Sequence, residues 1–153
     1  MSDSATPADP ADGTFASQRL LAHPAAQVYA AFARPDLLSR WWGPDGFTTS
    51  FEVFEFRPGG RWSFVLHGPD DTRHPNECVF LELDAPHRLV IQHVNAPRYT
   101  LTARLTPQDG GTLIRWLQAF EDRKVAARIR HIVEPANEQN LDRLAAVLAE
   151  QAG

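Results

Sequence analysis

The sequence predicts an α+β domain in which a curved antiparallel sheet of seven strands lies against one long C-terminal helix. Three observations carry this. Between Phe47 and Phe120 six extended stretches are separated by Pro, Gly, Asp or Asn turn signals. After Phe120 the apolar period lengthens from two to helical spacing. The 153 residues suffice for one domain with a real core and are too few for two generous ones.

Taken in order, residues 1–13 are acidic, small and proline-bearing, and read as a tail outside a single domain over 14–151. Thr14 to Ala22 is extended, with Phe15, Ser17, Arg19 and Leu21 on one side. Pro24 fits the first turn of a short helix through Ala33, whose Val28 and Phe32 lie four apart. A second short helix follows Pro35, with Asp36 expected as N-cap for Leu37 to Arg40. Its single basic residue, Arg40, argues against a DNA-reading helix pair.

The extended stretches are then Phe47–Phe56, Arg61–His67, Asn76–Leu83, Arg88–Val94, Arg98–Thr106 and Thr112–Phe120. Their connections are too short for parallel crossovers, so neighbours run antiparallel as a meander. In Arg57-Pro58-Gly59-Gly60, proline fixes the second turn position and glycine supplies positive φ at the third. Val125, Ile129, Ile132, Val133, Ala136, Leu141, Leu144 and Leu148 form one apolar stripe, which Pro135 is expected to interrupt or kink. A helix apolar on one side needs a surface to lie against, and the sheet is the element large enough.

Composition excludes several classes of function. The net charge is -4, and Arg123, Lys124, Arg128 and Arg130 alternate with apolar residues as the wet side of a helix, so no nucleic-acid partner is expected. No apolar run approaches the length of a membrane span, and the first residues have neither the basic nor the apolar region of a secretory signal. Cys78 is the single cysteine, so a cytoplasmic location is expected. The six histidines show no ligand spacing, and neither G-x-x-x-x-G-K nor G-x-G-x-x-G occurs, so no metal and no cofactor is expected. The chain is expected as a monomer or homodimer.

Trp41-Trp42-Gly43-Pro44, Arg57-Pro58-Gly59-Gly60-Arg61-Trp62, Ala85-Pro86-His87-Arg88-Leu89-Val90 and Gly111-Thr112 occur in that order. Together they resemble the AHSA-like branch, named after an activator of a heat-shock chaperone's ATPase, of the START-like helix-grip superfamily. The likeness extends over roughly residues 15 to 150. It implies a helix-grip fold with two short helices between the first two strands. It also implies a cavity for a small hydrophobic or amphipathic molecule, with a co-chaperone-like interaction role or a cyclase- or hydrolase-type enzyme as alternatives. The branch commonly carries Gly-Trp before a Leu-x-x-Leu pair on the long helix. Here Leu141 and Leu144 stand in the pair's places and Ala136-Asn137 in the others. An amide thus replaces a large ring that would cap the cavity.

A curved sheet and a lone helix leave space between them, and ligand cavities are mostly apolar with a few placed polar groups. The expected lining is Trp42, Phe51, Trp62, Phe64, Leu66, Phe80, Ile91, His93, Tyr99, Trp116, Asn137 and Leu141. No catalytic set is assigned. The candidates for an acid or base are His93, Glu77 and His67: the histidines because they fall in strands beside apolar neighbours, Glu77 because it stands near His74 and Cys78. No G-x-S-x-G is present, and Cys78 lies in a hydrophobic strand where a thiol is normally inert.

Overall fold

The computed structural model describes residues 12–152, the side chains through Gln151, so most of the expected tail lies outside the described residues. Its last two positions belong to the fold. The Gly13 carbonyl accepts the Phe120 N–H at 2.8 Å, and Asp12 pairs with Arg123 at 3.7 Å.

The elements are β1 (Thr14–Leu21), α1 (Ala25–Ala33), α2 (Pro35–Trp41), β2 (Thr48–Phe54), β3 (Arg61–His67), β4 (Arg73–Asp84), β5 (Arg88–His93), β6 (Tyr99–Gln108), β7 (Gly111–Phe120) and α3 (Arg123–Ala152). The seven strands form one antiparallel sheet in the order β1-β7-β6-β5-β4-β3-β2. Six of them are the expected meander. The first strand returns beside the last, which leaves β1 and β2 as the two edges.

Local chemistry sets the boundaries. In α2 the N-cap is Arg34, with Pro35 at the first helical position; Asp36 lies in the first turn, paired with Arg34 at 2.8 Å. The expected Asp36 cap is therefore displaced, because proline has no N–H to lose at that position and takes it. Asp122 caps α3, its carboxylate accepting the Lys124 and Val125 N–H groups at 2.9 and 3.3 Å. The β2–β3 turn is as expected: Gly59 has φ +81°, and the Gly60 N–H donates to the Arg57 carbonyl at 2.8 Å.

Pro135 does not interrupt α3, which runs unbroken past it. Both Pro135 and His131, whose carbonyl loses its usual donor, are on the exposed side, where water can replace the missing bond. The apolar stripe also holds only in part. Leu141, Leu144, Val147 and Leu148 are buried in the main core, whereas Ile132 is 58% exposed. The first half of α3 rests instead on a satellite cluster of Phe15, Phe120 and Ala126, with Ile129 and Val133 against it. The closest approaches of α3 to other elements are to β1, β7, α1 and α2.

Candidate functional site

Directly paired residues on neighbouring strands point to the same face. One row of partners is Phe54, Trp62, Cys78, His93, Tyr99 and Phe120; a second is Phe80, Ile91, Leu101 and Gln118; a third is Phe51, Phe64 and Asn76. Leu66 pairs with Thr49 and His74, and Trp116 with Ala103 and Ser17. All share the face that looks at α3, because Asn137 of that helix donates to Gln118 at 3.0 Å. A register shift between Phe51 and Val53 sets both Phe51 and Phe54 on this side, ring centroids 5.4 Å apart. The sheet therefore gathers nine of the expected lining residues, to which Asn137 and Leu141 are added from α3.

The twelfth, Trp42, comes from the loop after α2. Gly43 takes φ +108° there, a region costly for any side chain. Two residues of α3 hold the loop in place. The Asn140 amide donates to the Trp41 carbonyl at 2.7 Å and accepts the Gly43 N–H at 3.3 Å. The Arg143 guanidinium donates to the carbonyls of Gly43, Pro44 and Arg40 at 2.7, 2.9 and 3.2 Å. This clamp directs Trp42 onto Trp62 and Trp116, with centroids 4.9 and 5.7 Å away.

Rings occupy much of the space between sheet and helix. Trp62 lies 4.3 Å from Phe64 and nearly parallel to Phe80 at 5.9 Å. Leu66, Asn76, Tyr99 and Gln118 are less enclosed, at the end where β3 and β7 finish and β4 and β6 begin. Within the packed part, two indole N–H groups have no hydrogen-bond partner: those of Trp62, 0% exposed, and Trp116, 3% exposed. Trp41, by contrast, donates to the Ala31 carbonyl at 3.0 Å.

The polar centre of this face is His93, 3% exposed. Its Nδ1 lies 2.8 Å from the Pro97 carbonyl and its Nε2 2.6 Å from the Asn76 amide oxygen, and Tyr99 stacks on the ring at 4.6 Å. Burial pulls the imidazole below its ordinary pKa and the nearby Arg98 adds to this, against backbone hydrogen bonds that raise it. Burial pushes the Tyr99 phenol up. The neighbouring Cys78 thiol is pushed up to about 12, again chiefly by burial, so a thiolate is scarce at neutral pH.

The other two acid–base candidates lie on the opposite face. Glu77 pairs across the strands with Ser63, and its carboxylate accepts the Ser63 hydroxyl at 2.5 Å and Arg61 at 3.4 Å. His67 is next to inward-facing Leu66, so alternation turns it outward, where Nε2 lies 2.7 Å from the Ser50 hydroxyl. Neither reaches His93, so the three candidates do not come together as one set. Among the described residues, no three His, Cys, Asp or Glu side chains group as metal ligands.

A family model described as "Activator of Hsp90 ATPase homolog 1-like protein" (AHSA1) matches residues 22–149. The chain belongs to this family. Its fold is similar to that of a protein of Nitrosomonas europaea, at TM-score 0.84 and 23% identity over 95% of this chain and 99% of that one. A protein of Arthrobacter aurescens is similar at TM-score 0.86 and 24% identity, over 94% and 90% of the two chains. An AHSA1-like protein of Aeromonas hydrophila gives 0.73 and 17% over 91% and 94%. Likenesses at such identities show the fold alone. No curated protein matches the sequence.

Within the AHSA1 fold, the Asn137 amide that stands where the branch commonly carries a ring has a partner of its own, since it is held by Gln118. Asn76, Gln118, Asn140 and Arg143 are polar residues of this region that sequence reasoning missed. Gln118 had a readable signal, lying two residues from Trp116 on a strand. Asn140 and Arg143 had none, because their partners are backbone groups about a hundred positions away.

Proposed function

We propose that this AHSA1-family domain binds a small hydrophobic or amphipathic molecule between the inner face of the sheet and α3. The observation that carries the reading is the composition of that face. Aromatic rings from β2, β3, β4, β6 and β7 converge with Trp42 on one surface. The imidazole and amide groups of the face gather together, around His93, Asn76, Gln118 and Asn137. Small-molecule sites commonly combine these two ingredients. Binding is favoured over turnover because both nitrogens of His93 face protein oxygens and the Cys78 thiol is held protonated. Entry is from the end lined by Leu66, Asn76, Tyr99 and Gln118.

Tryptophan fluorescence and thermal shift against a diverse set of small apolar compounds test this. Saturable binding by some of them, weakened roughly tenfold or more by Asn137→Trp, is expected, because a ring at that position would fill the entrance. Unchanged emission and melting across the whole set would sink the reading.

A further inference from the structure

The indole N–H groups of Trp62 and Trp116 are the feature that packing does not explain. A buried indole ordinarily donates to a partner, as Trp41 does to Ala31, and each buried donor left unmet costs free energy. Two such donors stand on the same inner face, and both rings pack against Trp42. Phenylalanine at either position would keep an aromatic ring without the orphaned group. Retaining indoles there makes physical sense if something else supplies the acceptor.

We infer that the ligand of this site carries a hydrogen-bond-accepting oxygen, a ketone-, ester- or ether-like group on an apolar body, which is taken up by the N–H of Trp62 or Trp116. The inference rests on the binding site proposed above and specifies its chemistry. An indole N–H is a donor only and cannot accept. It therefore selects for an acceptor and gives no advantage to a ligand whose polar group is purely a donor. Both donors are uncharged and neither His93 nor Tyr99 is a cation by default, so a neutral oxygen fits the face better than a carboxylate, whose burial without a counter-charge is costly.

Matched pairs of probes separate this inference from the reading beneath it: acetophenone with ethylbenzene, and 2-acetonaphthone with 2-ethylnaphthalene. The members of each pair have similar shape and differ by a carbonyl oxygen. Wild-type protein is expected to favour the ketone over the hydrocarbon, once each is corrected for its water-to-alkane transfer. Trp62→Phe or Trp116→Phe should reduce that corrected preference by roughly five- to tenfold, the worth of one hydrogen bond. In the ¹H–¹⁵N spectrum the ketone, and not the hydrocarbon, should move the indole N–H signal of at least one of the two residues downfield. If neither these probes nor any other compound of the wider apolar set binds, the binding site itself fails and this inference with it. If both members bind with equal corrected affinity, unaltered by either substitution and with both indole signals still, the site stands and the acceptor chemistry is overturned.

Discussion

His93 illustrates how much a single buried side chain can carry. A neutral imidazole has one N–H, yet both ring nitrogens meet oxygens, of Pro97 and Asn76. With the proton on Nδ1 the Pro97 contact is satisfied, and the Asn76 contact becomes favourable only when the ring is protonated or the amide turns. Burial still dominates and lowers the native pKa below 6.5. The unfolded chain therefore binds more protons than the native one at pH values beneath about 6.5. Stability contributed by this residue is complete above that point and declines as the pH falls towards the native pKa. Urea unfolding at pH 7.5 and 5.5 should show a smaller loss for His93→Gln than for wild type. Equal losses would mean that His93 has no part in the acid response. Whether this histidine faced inward was open in the sequence. Alternation paired it with Ile91, but nothing local said which side of the strand was the core.

Among the elements, the β2–β3 hairpin was the most legible, because its turn residues and their backbone needs are adjacent in sequence. Its two glycines do different work. An added Cβ on Gly59 would meet nothing within 4 Å, so only the positive φ resists substitution there. On Gly60 the same atom would sit 2.0 Å from the Glu55 carbonyl oxygen. Gly59→Ala is expected to cost about 1 kcal/mol. Gly60→Ala should cost about 3 kcal/mol, since backbone has to move. Urea denaturation of the two variants checks this order; a reversal would mean that the turn rearranges freely. Helix α3 was legible in extent but not in orientation. Its stripe included Ile132, and the exposure of that residue reflects how the first half of the helix lies across Phe15 and Phe120.

For the whole molecule, the buried thiol offers a measure of cooperativity. Cys78 lies mid-strand in the main core and its thiol is pushed up to about 12. A disulfide reagent at pH 8 should therefore label it only on opening of the sheet, at a rate that rises with urea in step with global unfolding. Fast labelling in native buffer would reveal a local opening of β4 that the packing does not predict. The sequence alone determined the element order, the antiparallel meander, the hairpin chemistry and the family. All of these depend on residues near one another along the chain, whose spacing and backbone preferences act before any packing. Only the tertiary structure decided that Glu77 and His67 face away from His93, that Asn140 and Arg143 clamp the Trp41–Pro44 loop, and that two indoles remain without acceptors. Those outcomes depend on which side of a strand is buried and on which distant backbone groups come within reach. The folded chain sets both, and no local pattern encodes them.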